Sequence, residues 1–252
     1  AVWHANNFAV FKFGKNQHGN DSIGIFTEVF AGAGGARTFG DGVDVGGEIP
    51  NPISRMANVE SVEASFPIRY LFRRRLADSG GAGKYRGGTG MEFAVVPHDA
   101  PDGGIHYVVS GKGDDFPMSD GLSGGYPGAP NAYIWVHNND VEESKKNVYG
   151  QFAQSLDEML GEHEDVAWGV FPLHGKDALY IRWNGGGGFG DPLERDPEVV
   201  LGDYLNKAIS LESAGRIYGV EFGDGNTVID AVKTAALRKD LYNQRITPEA
   251  TE

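Results

Sequence analysis

Three polar groupings early in the chain carry residue types that can do chemistry. His18 sits in KNQHGND, with Asn16, Gln17 and Asp21 close by. A histidine beside a carboxylate and amides can ligate a metal or move a proton near neutral pH. The competing reading is a loop histidine that only satisfies its own turn. Arg37, Asp41 and Asp44 lie in GAGGARTFGDGVD. A guanidinium there can orient an anion or a substrate oxygen, while aspartates in such a loop also simply form turns. Glu60 and Glu63 flank a strand-like segment, where their odd spacing puts them on opposite faces. Ion pairing with Arg69, Arg73, Arg74 or Arg75 is therefore expected of them, rather than shared proton transfer. His4 with Asn6 and Asn7 repeats the first pattern more weakly. His98, His106, His137, His163 and His174 show no metal-ligand spacing.

A fourth stretch, NGGGGFGDPLERDP from Asn184 to Pro197, looks like a phosphate cradle. A Walker A loop needs a lysine and a hydroxyl after its last glycine, for phosphate and magnesium, and GGGGFGDP has neither. Gly185, Gly187 and Gly190 have the glycine spacing of a dinucleotide fingerprint, but no helix opens inside the loop and Pro192 follows. The stretch reads as a place where backbone must approach backbone.

Positioning these residues falls to a chain of 252 residues, long enough for a substantial core as one large or two modest domains. Its 22 basic and 35 acidic residues leave a formal charge of −13, which argues against a nucleic-acid backbone as partner. There is no membrane-length apolar run and no visible export signal. Without cysteine, disulfides and thiolate metal sites are excluded, which is compatible with a reducing cytoplasm. The 38 glycines favour turns and tight backbone contacts over long helices.

Short β-branched or aromatic runs bounded by Gly, Pro, Asn and Asp predict strands in NNFAVFKFG, SIGIFTEVF, MEFAVVP, IHYVVSG, AYIWVHN and DALYIRWN. NVYGQFAQSLDEML fits either a helix or an irregular crossover. After Pro192 the texture becomes helical. Asp196 caps a helix with Pro197 at its first position, Ser210 opens a second that Gly219 ends, and Asp230 begins a third. The expected class is α+β: a β-rich body over 1–192 with long glycine-rich loops, and a helical tail over 193–252 packed upon it. Asp78-Ser79-Gly80-Gly81 and Arg86-Gly87-Gly88 read as structural turns of the body.

GGGGFGDPLERDPEVVL…AISLESAGRIYGV resembles the C-terminal signature of the hydantoinase B/oxoprolinase family, and VESVEASFPIRYLFRRRLADSGGAGKYRGGTG agrees with it. The resemblance runs from about Gly32 to about Gly225. KNQHG followed by GAGGARTFGDGVDVGG is more similar to the acetone and acetophenone carboxylase branch than to the N-methylhydantoinase branch. It implies the C-terminal part of a longer subunit, whose N-terminal part would be a separate or removed segment. It also implies ATP-dependent, multi-subunit chemistry in the cytoplasm on a small-molecule substrate. A hydantoinase A-type partner would carry the nucleotide. ATP and a divalent metal would be bound mainly by other polypeptides and not by this chain alone. The carboxylase branch implies a ketone substrate; the hydrolase branch implies opening of a hydantoin, oxoproline or lactam ring. A non-catalytic half-subunit is the remaining alternative. Within the chain, His18, Arg37 and Asp41 are the candidate catalytic residues, because their polar loops can converge donors on developing charge.

Overall fold

The computed structural model describes residues 8–13, 15–25, 32–46, 57–100, 105–110, 116–139, 152–166 and 168–246. His4, Asn6, Asn7 and the first part of NVYGQFAQSLDEML lie outside them. Among the described residues nine strands form two sheets: β1 (Phe8–Phe13), β2 (Ser22–Ile25), β3 (Ile68–Arg75), β4 (Met91–Pro97), β5 (Ile105–Ser110), β6 (Ala132–His137), β7 (Glu162–Asp165), β8 (Trp168–Leu173) and β9 (Ala178–Arg182). One sheet runs β2-β1-β5-β8 and the other β3-β4-β9-β6-β7, and every strand pairing is antiparallel. The α+β expectation holds, and the six predicted strand runs each contain a strand.

Alternation explains the packing. Tyr70, Phe93, Val95, Tyr133, Trp135, Leu179 and Ile181 of the larger sheet meet Ile105, Tyr107, Val109 and Leu173 of the smaller one in a single buried cluster. The reverse face of the larger sheet is buried as well, under Ala153, Met159 and their neighbours, against Ala94, Val96, Val136, Ala178 and Tyr180. A bulge between Tyr70 and Phe72 puts Leu71 and Phe72 together on that second face. Residues 156–158 of the undecided stretch form one 3-10 turn.

One expectation is corrected here. Glu60 and Glu63 lie on a helix, α1 (Val59–Ser65), where a strand-like segment is expected between them. Asn58 caps it by accepting from the Glu60 amide, and the helix stops one residue before Pro67 disfavours its continuation. At helical spacing the two glutamates share a face. The tail contains α2 (Pro197–Leu205), α3 (Leu211–Arg216) and α4 (Ala231–Ile246). Asp196 and Ser210 cap the first two as expected, Pro197 opens α2, and Gly219 leaves α3 with φ +62.

The glycine-rich connections all leave one end of the larger sheet. Residues 76–90 join β3 to β4, residues 119–131 lead into β6, and residues 183–190 follow β9. Their pairing has a period of three. Gly185 and Gly188 donate to Ala129 and Tyr126; Gly186 and Phe189 to Gly88 and Tyr85; Tyr126 and Ala129 to Ala82 and Ser79; and Gly42 and Val45 to Arg86 and Thr89. A β-ladder repeats every two residues, whereas a polyproline II-like chain has three per turn and turns its hydrogen bonds outward. The strands thus run on into a bundle of extended, three-fold segments. A Cβ on Gly185, Gly186, Gly187 or Gly188 would land on the carbonyl oxygen of Ser79, Gly34, Asp120 or Ala82 respectively. Glycine is required there for space and not for a left-handed turn.

This geometry separates two kinds of glycine. Gly186→Ala has to push whole backbone segments apart and is expected to cost more than about 3 kcal/mol or prevent folding. Gly202→Ala, inside α2 with nothing near the added methyl, is expected to stabilise by about 1 kcal/mol. Chemical denaturation of both variants checks this, and similar ΔG values for the two would contradict the bundle.

Candidate functional site

The glycine bundle is locked to the tail by a buried ion network. Arg195, at 2% side-chain exposure, donates from both terminal nitrogens to the two carboxylate oxygens of Asp41 at 2.8 and 2.7 Å. Its Nε and Nη2 donate to Asp203 on α2 at 3.0 and 2.7 Å. Arg86 donates to Asp44 at 2.9 Å and lies 3.4 Å from the other Asp203 oxygen. The Arg86 and Thr89 backbone amides donate to Asp41 and Asp44, each at 2.8 Å. Arg238 of α4 donates to the Arg195 carbonyl at 2.6 Å and to that of Tyr218 at 3.0 Å.

Electrostatics follow from this pairing. Burial pushes the Asp41 carboxyl up, but hydrogen bonds and charge from Arg195 and Arg86 outweigh it and hold the group below its ordinary value. Asp44 is likewise raised by burial and lowered overall by Arg86 and Thr89. Burial disfavours the charged Arg195 and Arg86, yet Asp41 and Asp203 push both guanidinium values up, joined by Asp44 at Arg86. Asp41 is therefore a fixed anion, badly suited to accept a proton.

The three sequence-predicted residues fall into different surroundings. Asp41 belongs to the network and borders a cleft of about 330 Å³ with Lys84, Tyr85, Glu194 and Val199. Arg37 is exposed next to it, donating to the Asp41 carbonyl at 3.3 Å with its guanidinium carbon 5.4 Å from the ring centre of Phe39. His18 is exposed elsewhere. Its backbone amide donates to Asn16 Oδ1 at 3.0 Å and its Nε2 lies 3.4 Å from the Ala64 carbonyl, while Gln17 donates to the carbonyls of Glu63 and Ala64. That loop caps the end of α1. Among the described residues no hydrogen bond or ion pair joins His18 to Arg37 or Asp41.

The carboxylate pair is also reassigned. Glu63 accepts from the Tyr70 amide at 2.7 Å. The expected arginine partners go elsewhere: Arg74 pairs with Glu92 and Arg75 with Asp44, and Arg69 lies over the Phe152 ring. Sequence reasoning missed Arg195, which appeared only as part of a helix-capping stretch. Its one signal was a cation set between two aspartate-rich turns, Asp191 and Asp196.

The fit of this chain to ATP and to a metal can be tested on its donor groups. A phosphate cradle needs free amides, and those of Gly185, Gly186, Gly188, Phe189 and Gly190 are committed to neighbouring carbonyls. Among the described residues no group of three or more His, Asp or Glu is arranged to hold a metal ion. These committed amides do not make a phosphate cradle of the glycine loop.

The network carries a pH dependence. Groups whose folded pKa is depressed add stability above the unfolded value near 3.8, and that stability is lost as pH falls through the folded value. Removing one partner of a buried pair costs about 3–5 kcal/mol. Asp41→Asn is expected to lower stability at neutral pH by the lower part of that range. Its unfolding midpoint should then fall less steeply than the native one as pH drops below about 4. Parallel acid limbs in a pH series of thermal melts would contradict this.

Comparison with known proteins agrees with this architecture. The sequence model of the hydantoinase B/oxoprolinase family matches residues 3–192. The chain is 30% identical over 242 residues to the acetone carboxylase alpha subunit of Xanthobacter autotrophicus, covering 87% of this chain and 30% of that subunit. Nucleotide-free acetone carboxylase superposes with a TM-score of 0.78 at 26% identity, over 99% of this chain and 35% of the other. The ATP-dependent caprolactamase of Pseudomonas jessenii gives 0.70 at 25% identity, over 95% and 38%. This chain spans about a third of the length of these relatives. With the family model matched over residues 3–192, most of its length, the chain belongs to the hydantoinase B/oxoprolinase family.

Proposed function

We propose that the chain forms the C-terminal part of a hydantoinase B-type subunit in an ATP-dependent, multi-subunit carboxylase acting on a ketone, working in the cytoplasm. The likeness to acetone carboxylase over 99% of the chain is the observation that carries this reading. A hydantoinase A-type subunit would bind ATP and phosphorylate an unreactive carbonyl or enol oxygen. ATP supplies phosphate as a better leaving group than oxide or hydroxide, and a divalent metal would accompany it on the other polypeptides. The N-terminal part of the same subunit would be a further partner.

In this reading the body of residues 1–192 presents loops to a closed substrate chamber, and the tail of 193–252 buttresses it. His18 and Arg37 are this chain's candidates for contact with substrate. Both are exposed, and each has hydrogen-bonding capacity left for a ketone or enolate oxygen. Asp41 acts through Arg195, as a positioning residue that fixes the Arg37 turn. An enclosed boundary between subunits suits the chemistry, since water would consume an activated intermediate.

The likeness to caprolactamase favours a second reading, an ATP-dependent hydrolase opening a cyclic amide. Bicarbonate dependence of ATP turnover in the assembled enzyme separates the two. A carboxylase requires bicarbonate for substrate-dependent turnover, and a lactam hydrolase turns over without it. In the same assembly His18→Ala and Arg37→Ala are each expected to lower kcat/KM by about tenfold or more, with nucleotide binding by the partner unchanged. Full activity in both variants would make this chain a scaffold.

A further inference from the structure

We propose that the cleft between the C-terminal end of β3 and the turn after α2 binds a small oxyanion of the phosphate or carboxylate class, held by Arg74 and Lys207. The cleft has a volume of about 510 Å³ and is lined by Arg74, Arg75, Glu92, Asn206 and Lys207, among others. Its volume lies in the range of small-molecule sites. Three cations face one carboxylate there, in a chain whose net charge is −13.

Arg74 is held ready. Its Nε donates to Glu92 Oε1 at 2.6 Å, and its guanidinium carbon lies 5.5 Å from the Phe72 ring centre. Glu92 has 4% side-chain exposure, and its other oxygen accepts from the Tyr180 hydroxyl at 2.6 Å, so the carboxylate cannot swing away. This arrangement occupies Nε alone. Both terminal nitrogens of Arg74 are without a partner among the described residues, and a fixed guanidinium edge suits an oxyanion. Arg75 differs, because its terminal nitrogens are spent on Asp44 and on the Asn206 carbonyl. It ties the cleft's two walls together.

Lys207 is the second, independent observation. It follows Asn206, which caps α2, and has φ +57. At this position helices usually place glycine, because a side chain is strained in the left-handed region. The chain keeps a lysine instead, whose ammonium has no hydrogen bond or ion pair among the described residues. Local strain retained at the lining of a cleft points to use of the side chain. The assignment does not depend on which reaction the complex performs. Phosphate, a phosphoryl group, bicarbonate and a carboxylate all present the same acceptor oxygens.

The test is calorimetric titration of the intact protein at low ionic strength with inorganic phosphate and, separately, with bicarbonate, using chloride as the control. Saturable binding of at least one is expected, and the tighter of the two names the source of the oxyanion. Arg74→Gln should weaken it about tenfold, the loss of one charge-assisted hydrogen bond. Lys207→Gly should weaken it severalfold and yet raise Tm in the absence of the anion, since the backbone strain is relieved. If Arg74→Gln does not fold by circular dichroism, Lys207→Gly carries the test alone. Absence of saturable binding, equal competition by chloride, or binding unchanged in the folded variants would overturn the proposal.

Discussion

The approach of backbone to backbone in the glycine bundle is the constraint on which the rest of this structure depends. Segments 32–46, 76–90, 119–131 and 183–190 lie so close that a Cβ on one meets a carbonyl on the next. At these glycines the contact is backbone on backbone, so no core substitution elsewhere can compensate for losing it. Extended chains with three-fold hydrogen bonding can pack on several sides at once, which a flat ladder cannot. That explains how these segments can be stacked at one end of a sheet with amides such as those of Gly185, Gly186, Gly188 and Phe189 paired across the bundle. Unsatisfied amides there would each carry a desolvation penalty.

Glycine-only packing supplies no charge and little apolar burial, and the ion network supplies the specificity. Arg195 and Arg86 join the loop of Asp41 and Asp44 to Asp203 on α2, so bundle and tail share one set of charges. The tail adds an apolar cover, with Val200, Ile209, Ala214, Tyr218 and Val220 packed around Ala82 of the bundle. A pair of buried arginines facing three carboxylates tolerates little displacement, because any unpaired member would remain buried and charged. The Arg37 turn therefore has its position set by contacts that lie beneath it. A rigid support of this kind holds an exposed loop in one position.

Much of this was legible in the sequence, for identifiable reasons. Strands β4, β5, β6 and β9 carry β-branched or aromatic runs between turn residues, and the helix starts carry Asp or Ser caps whose effect is local. β8 was missed because Gly169 and Pro172 interrupt its pattern, and β7 because EHED is exposed throughout. α1 was misread because seven residues hold too few apolar positions to declare a period. The glycine loop offers no lysine or hydroxyl to a phosphate, but its three-fold pairing involves residues about a hundred positions apart, as with Gly186 and Gly88. Arg195 and Asp41 stand 154 residues apart, and no local pattern announces such a pair. The charge that marks Asp41 in the sequence is committed to Arg195 in the fold.

That separation in sequence also makes each layer of contacts depend on another. Glycine loses more backbone freedom on ordering than any other residue, so the bundle segments gain little until several are already adjacent. The larger sheet provides that adjacency. Arg75 pairs with Met91, Glu92 with Arg182, and Arg182 with Ala132, so the ends from which all three connections depart are aligned by the strand register itself. A slip of one residue in any of these ladders would shift a glycine out of its contact and put a carbonyl against a side chain. The bundle therefore rests on the register of the sheet, and the pairing of Asp41 with Arg195 and of Asp44 with Arg86 rests on the bundle in turn.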